Sequence, residues 1–420
     1  MPLKDHSRKY DIVVFGATGY TGHRVAQHIA SQFPINLRWA IAGRSEAKLH
    51  EIAQECEKIN PDRTQPQIEI CNLNQEEVDS LAKTSFVLIT CVGPFAKHGE
   101  FAYKACANHG THYLDTTGEA PFTKSMIQKY ENAAKTSGAI MLSQVAVQSA
   151  PADIITWTLA KNLKEKLDAD TGKVTVVTSI DSAPSGGTIA SALSLFETFS
   201  LSQIRNAFKP YNFSPVANPT RRPRDPSNFL TPLTGLRTLP DLGRVTTSIA
   251  NRVDGNIVER SWGLHQTLPS LRARVAYGPH FSWAEYASAP SALQGAAGHL
   301  GLMVGGAVLT LLPPVRWLVK KFVFAPGSGP SVEAAKNDSV VFRAVAEPDP
   351  PKEGKRAFGQ AEYHGSMYTF TAVLNSQAAL TILEDKLDLE GGCYTPACLG
   401  QGYIDRLAKQ GFAIKSEIRE

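Results

Sequence analysis

From residue 10 to about residue 149 the chain alternates short apolar runs with longer mixed stretches, the pattern of βαβ units around a parallel sheet. Apolar runs at 11–15, 38–42, 67–71, 86–91 and 139–143 predict strands, and 112–114 adds a short sixth. The intervening stretches 21–32, 46–59, 75–82, 100–109 and 123–136 predict helices on both faces of that sheet. Pro151 opens a different regime, with a helix at 152–163 and a β-rich run at 173–181. Long Pro- and Arg-containing segments such as 218–226 follow. Further on, 338–345 and 356–374 read as strands of a mixed or antiparallel sheet, being β-branched and aromatic with polar alternation, and 401–410 as an amphipathic helix. The fold class expected is α/β: an N-terminal Rossmann domain with a doubly wound parallel sheet, and a second α/β domain carrying a mixed sheet. The boundary falls near Ser149–Pro151.

One stretch breaks the periodicity. Residues 300–312 are 13 consecutive positions without a charge, followed by Pro313-Pro314 and the cations Arg316, Lys320 and Lys321. A spanning helix needs about 20 apolar residues, so the run is too short to span and two prolines end it. Two readings stay open: a buried or oligomer-interface helix, which is favoured, and a monotopic membrane contact with Trp317 and the lysines at headgroup level. The GxxxG spacing of Gly301 and Gly305 suits close helix packing in either case.

Composition narrows the function classes. A 420-residue chain that is 43% hydrophobic buries a sizeable core, and 43 basic against 39 acidic residues leave a net charge of +4, with no electrostatic case for nucleic acid. Six cysteines stand far apart without a CxxC pair, so neither a zinc site nor a disulfide framework is indicated. No metal is expected. The polar N-terminal residues carry no apolar signal region, so a cytoplasmic location is expected.

The strongest chemical signal lies at the end of the first strand. Gly16-Ala17-Thr18-Gly19-Tyr20-Thr21-Gly22 is a GxxGxxG variant of the dinucleotide fingerprint in its strand-turn-helix setting. Gly16 permits the tight turn, Gly19 lets the backbone approach a pyrophosphate, and Gly22 lets the helix pack near the strand. The phosphates then meet free N–H groups at the helix N-terminus. After the second strand the chain reads Gly43-Arg44-Ser45, with Lys48 a turn later. Arginine there, rather than Asp or Glu, accommodates a ribose 2′-phosphate and favours NADP over NAD. Asn72 after the third strand is a candidate for the adenine edge, and Cys91, Gly93 and Pro94 after the fourth lie at the sheet's carboxyl end, where ligands bind in such folds.

These motifs, with Gly99-Glu100, Leu114-Asp115-Thr116-Thr117-Gly118-Glu119, Ser149-Ala150-Pro151-Ala152-Asp153 and Gly391-Gly392-Cys393-Tyr394-Thr395-Pro396-Ala397, resemble the saccharopine dehydrogenase-like oxidoreductases, which include trans-acting enoyl reductases of mycobacteria and fungi. The likeness covers nearly the whole chain. It implies NADP as cofactor, reduction of C=C or C=N bonds, and, for animal relatives, association with lipid droplets and membranes. It also implies a second domain inserted before a returning C-terminal segment, so that 1–149 is completed by 386–420, while 150–385 forms a substrate and dimerisation domain carrying the apolar segment 300–324. The sequence departs from the family at Ala146-Val147-Gln148-Ser149, where relatives read Gly-Phe-Asp-Ser. A titratable carboxyl has become an amide that donates and accepts but holds no charge.

Candidate catalytic groups at the sheet's carboxyl end are Glu119, Ser149 and His98, with Asp115 nearby. Each has a structural alternative: Glu119 a first-turn carboxylate, His98 a surface histidine beside Lys97. Gln148 and the small-residue loop Gly186-Gly187-Thr188 are candidates for substrate, the loop through backbone amides opening a helix. Arg221, Arg222 and Arg224 are candidates for an anionic carrier, against a solvated loop. The leading expectation is an NADP-dependent reductase of an enoyl or imine bond in an apolar, carrier-bound intermediate of lipid or secondary metabolism. The alternatives are a non-redox isomerase or cyclase, or a membrane-associated binding protein, that retains the NADP-binding scaffold; amino-acid chemistry ranks below both. Expected partners are that apolar substrate, a second copy of the chain, and the periphery of membranes or lipid droplets.

Overall fold

The computed structural model describes residues 2–182, 184–218, 227–275, 277–322, 329–330, 333, 335 and 337–420. The first part runs β1 (Tyr10–Phe15), α1 (Tyr20–Gln32), β2 (Trp39–Gly43), α2 (Glu46–Ile59), β3 (Gln67–Ile70), α3 (Gln75–Thr84), β4 (Ser85–Thr90), α4 (Phe95–His109), β5 (His112–Asp115), α5 (Ala120–Ser137), β6 (Ile140–Leu142) and α6 (Ala150–Leu167). Then come β7 (Asp170–Asp181), α7 (Gly186–Thr198), α8 (Leu201–Ala207), α9 (Thr231–Thr234), β8 (Arg237–Leu239), β9 (Gly243–Thr247), α10 (Asn251–Thr267), α11 (Pro269–Arg272), β10 (Tyr277–Ser288), α12 (Ala292–Leu311) and α13 (Pro313–Phe322). The chain closes with β11 (Ser339–Asp349), β12 (Arg356–His364), α14 (Met367–Glu384), β13 (Gly392–Tyr394), α15 (Gln401–Lys409) and β14 (Lys415–Arg419).

The first sheet has the order β13-β6-β5-β4-β1-β2-β3 and every pairing in it is parallel. Helices cover both faces, which is why β1 and β2 are buried at every position and read as continuous apolar runs. The chain reverses direction across the sheet between β1 and β4, so the ends of these two strands open the crevice in which doubly wound folds bind ligands. The second sheet, β14-β12-β11-β7-β10-β9-β8, is mixed: β7 and β10 run parallel and the other pairs antiparallel. A single apolar cluster links the two sheets through α6 and α14.

Three expectations change. The stretch 356–374 is not one run of strands: β12 ends at His364, Ser366 accepts from the Thr369 N–H, and α14 begins. This helix is buried on nearly every side, so it carries no polar stripe, and its Tyr, Thr, Phe and Val residues imitate a strand. The run from 300 belongs to a 20-residue helix, α12, that starts eight residues earlier at Ala292 behind a Ser291 cap. It is not a buried helix, since only Gly295 and His299 are buried, and nothing approaches a Cβ placed on Gly301 or Gly305. Finally, 386–420 divides: β13 joins the parallel sheet beside β6, but β14 pairs with β12 in the second sheet.

Candidate functional site

The β1–α1 loop is built to leave space and donors. Gly16 has φ +85°, and a Cβ on it would meet the Val92 side chain at 2.8 Å; a Cβ on Gly22 would lie 2.3 Å from the Gly16 carbonyl oxygen. The first helical bond of α1 runs from His23 N–H to Gly19 O (2.9 Å), so the amides of Tyr20, Thr21 and Gly22 precede the ladder. No side chain caps this terminus and no acid stands in its first turn. The positive end of α1 therefore faces the crevice uncompensated.

Neighbouring loops converge on it. The Thr18 side chain lies 3.8 Å from a Cβ position on Gly43, and a Cβ on Gly16 would lie 3.1 Å from the backbone of Cys91 and Val92. Arg44 and Lys48 are exposed at the end of β2 and the start of α2, and Ser45 takes the N-cap position of α2 without a side-chain bond. Among the described residues the Arg44 guanidinium has no hydrogen-bond or ion-pair partner. Asn72 points differently: its carboxamide N–H groups donate to Glu77, as does its backbone N–H. The Cys91 thiol is pushed up to about 12 by burial and by Asp115, which leaves it protonated.

The candidate acids are engaged. Glu119 accepts from the N–H groups of Phe95 (2.9 Å) and Ala96 (2.7 Å), the open amides of α4, and this explains why α4 begins five residues before the apolar pattern indicated. Burial raises its carboxyl, while a Ser191 hydroxyl and the two amides hold it down. Asp115 accepts from Gln144 N–H and Thr117 N–H, pinning the β5 end to the β6 loop, and burial lifts it to about 6. Ser149 is buried, its hydroxyl 3.0 Å from Gln144 Oε1 and 3.3 Å from Asp254 Oδ1. Gln148 stays half-buried against the backbone of Gly118, with Oε1 3.0 Å from a Cβ position there. His98 sits half-buried in the first turn of α4, its pKa lowered by burial, then Arg44, then Lys97.

The second domain reaches the same place through α7. Ser185 caps this helix, and its N–H donates to Tyr368 Oη (2.5 Å), which lies 2.7 Å from Thr188 Oγ1. The Tyr368 ring stands edge-on to Tyr20 of the glycine loop, centroids 5.0 Å apart. Further along α7, Ser191 Oγ is 3.6 Å from a Cβ position on Gly93 and Glu197 pairs with Lys97 of α4 (2.7 Å). Thus Gly186, Gly187 and Thr188 come to the crevice, whereas Arg221, Arg222 and Arg224 lie outside the described residues. The sequence reading missed Tyr368 and Ser191, because their partners are 180 and 72 or more positions away and no local pattern marks them. It also missed a buried carboxyl pair, Asp254 of α10 and Glu285 of β10, behind Ser149. Burial, and for Asp254 its neighbour's charge, raises both; Ser248 (2.6 Å) and Thr178 (3.4 Å) donate to Glu285.

Comparison with known proteins fits this geometry. Residues 12–142 match the family model of the saccharopine dehydrogenase NADP-binding domain. The whole chain is similar to a Mycobacterium tuberculosis protein named as a trans-acting enoyl reductase, 30% identical across 97% of this chain and 98% of that one. The chain belongs to the saccharopine dehydrogenase-like oxidoreductases. It is 28% identical to the Bos taurus saccharopine dehydrogenase-like oxidoreductase, across 97% of each chain. In fold it resembles saccharopine dehydrogenase (L-Glu forming) of Saccharomyces cerevisiae, with TM-score 0.52 at 9% identity over 97% of this chain and 99% of that one. It likewise resembles a homospermidine synthase of Legionella pneumophila in complex with NAD, with TM-score 0.53 at 11% identity over 98% and 91%. The protein is thus an NADP-binding oxidoreductase of this family, and its crevice fits that cofactor: a glycine cradle that a Cβ would fill, an uncapped helix terminus and an arginine without a partner among the described residues.

Proposed function

We propose that this oxidoreductase uses NADPH to reduce an enoyl C=C or an imine C=N bond in an apolar, carrier-bound substrate. The observation that carries the reading is the meeting of the glycine loop with α7 and Tyr368, which sets a cofactor cradle opposite a polar edge drawn from the second domain. The amides of Tyr20, Thr21 and Gly22 would hold the pyrophosphate and Arg44 the 2′-phosphate. NADPH supplies the hydride when bound. Gln148 would orient the substrate by hydrogen bonding, and the Thr188 and Tyr368 hydroxyls would donate to the oxygen or nitrogen that gains charge. The test is NADPH consumption with enoyl thioesters, enones and imines as acceptors. Oxidation coupled to one of these supports the reading; turnover of a substrate without nucleotide consumption overturns it.

A second reading, a non-redox isomerase or cyclase on the NADP scaffold, draws on Gln148 and Glu119. One is an amide, and the other is tied to the α4 amides, so neither offers an unengaged acid. In that case NADPH binds and substrate isomerises with no oxidation of the nucleotide, read as constant absorbance of its reduced ring.

We also infer that α12 and α13 rest on the surface of a membrane or lipid droplet. Leu293, Val304, Leu311 and Trp317 are 81%, 60%, 72% and 63% exposed, and the basic residues Arg316, Lys320 and Lys321 follow the apolar helix. By length and composition α12 suffices to cross a membrane. Its attachment to the fold, through His299 bonded to Thr247 (2.9 Å), places one end against the second sheet. Flotation with anionic liposomes tests this, and a homodimer that stays in the soluble fraction would replace it.

A further inference from the structure

The strand order β4-β1-β2 puts the ends of β2 and β4 on either side of the glycine loop, each about 5 Å from β1. Arg44 rises from one of these ends. From the other, the Pro94 carbonyl accepts from the His98 N–H (3.1 Å), which fixes His98 in the first turn of α4, and the Glu119 clamp on Phe95 and Ala96 holds that turn still. Among the described residues neither the His98 ring nor the Arg44 guanidinium has a hydrogen-bond or ion-pair partner.

The charges around the imidazole are one-sided. After burial, the charges that lower its pKa are Arg44 from the end of β2 and Lys97 from its own helix, both cations. The acids in the vicinity are engaged elsewhere. Glu197 of α7 pairs with Lys97, and Glu119 holds the α4 amides. Two basic side chains left without an acid, at the rim of an NADP cradle, make a site for a dianion rather than for a reacting carbon.

We propose that His98 is a second recognition group for the cofactor's 2′-phosphate, closing on it opposite Arg44, and not a catalytic acid. The inference rests on NADP binding at this loop. In the free protein burial, and after it the cations Arg44 and Lys97, favour the neutral ring; a bound 2′-phosphate opposes these and draws a proton onto His98. NADP binding is therefore linked to proton uptake, and preference for the phosphorylated cofactor strengthens as pH falls.

The experiment is calorimetry with two cofactor fragments, 2′,5′-ADP and 5′-AMP, in buffers of different ionisation enthalpy, on wild type, His98→Gln and His98→Lys. Wild type is expected to prefer 2′,5′-ADP and to take up protons on binding it. H98Q should lose about tenfold of that preference at about pH 6.5 and much of the uptake, with 5′-AMP unaffected. H98K should restore the preference without the uptake, because its charge is permanent. Unchanged preference and uptake in H98Q, or equal weakening of both fragments in both variants, overturns the role of His98. Failure of wild type to distinguish the fragments would instead overturn the 2′-phosphate site itself.

Discussion

The two sides of the crevice are made in different ways. The cofactor side is backbone: three glycines, the open end of α1 and one arginine, all within 29 residues of Gly16. The opposite side, proposed above for substrate, draws on Glu119, Gln148, Thr188, Ser191 and Tyr368, residues far apart in sequence. A phosphate is recognised by amides that any sequence supplies once the turn is made, so its site is local. An apolar substrate needs side chains at chosen points, and only the tertiary fold brings these together.

Substitutions can sharpen this contrast. The largest effect is expected from Gly22→Val, which drives a side chain into the Gly16 carbonyl: NADPH affinity should fall by at least about a thousandfold, roughly 4 kcal/mol, in fluorescence titration. Retained binding would show that the cradle is not set by backbone contact. Next comes a buried carboxyl, Asp153. Asp153 accepts from Ser261 Oγ and Ala397 N–H, and burial lifts it from 3.8 to about 7. A carboxyl whose folded pKa is raised stabilises the fold fully below its unfolded value and loses that contribution as pH climbs through the folded one. Stability should therefore fall between about pH 4 and 7, and Asp153→Asn should remove up to about 1.4 kcal/mol per pH unit of that slope in chemical denaturation. An unchanged slope would mean that Asp153 is ionised in the fold.

Smaller still is Tyr368→Phe, which leaves the Ser185 N–H without its acceptor. A stability loss of about 1–2 kcal/mol is expected, with kcat/KM reduced more than NADPH affinity. Equal loss of both would move Tyr368 to the cofactor side. The smallest change in stability, under about 0.5 kcal/mol, is expected from replacing Leu293, Val304 and Leu311 together by Ser, because these side chains face outward. The same variant should lose liposome binding; destabilisation would instead show that they pack against the fold.

The legibility of the sequence follows the same division. β1 to α2 were readable to within a residue or two because buried parallel strands and amphipathic helices keep clean periods, and Gly16–Gly22 with Arg44 form a local motif. α14 was misread because a helix buried all round has no stripe. α12 was entered eight residues late, since the uncharged run was counted from Leu300 and the Ser291 cap passed unnoticed. Glu119 was singled out as a candidate acid, whereas its bond to the α4 amides depends on a β4–α4 turn that no spacing reveals. Tyr368 had no sequence signal, its partners Thr188 and Tyr20 lying 180 and 348 positions away.

The account stands on NADP bound between the glycine loop and Arg44. Titration of NADPH and NADH into wild type and Arg44→Ala tests it most directly. The predicted result is a loss of about tenfold to a hundredfold in NADPH affinity with NADH nearly unchanged; equal loss of both, or of neither, would contradict it.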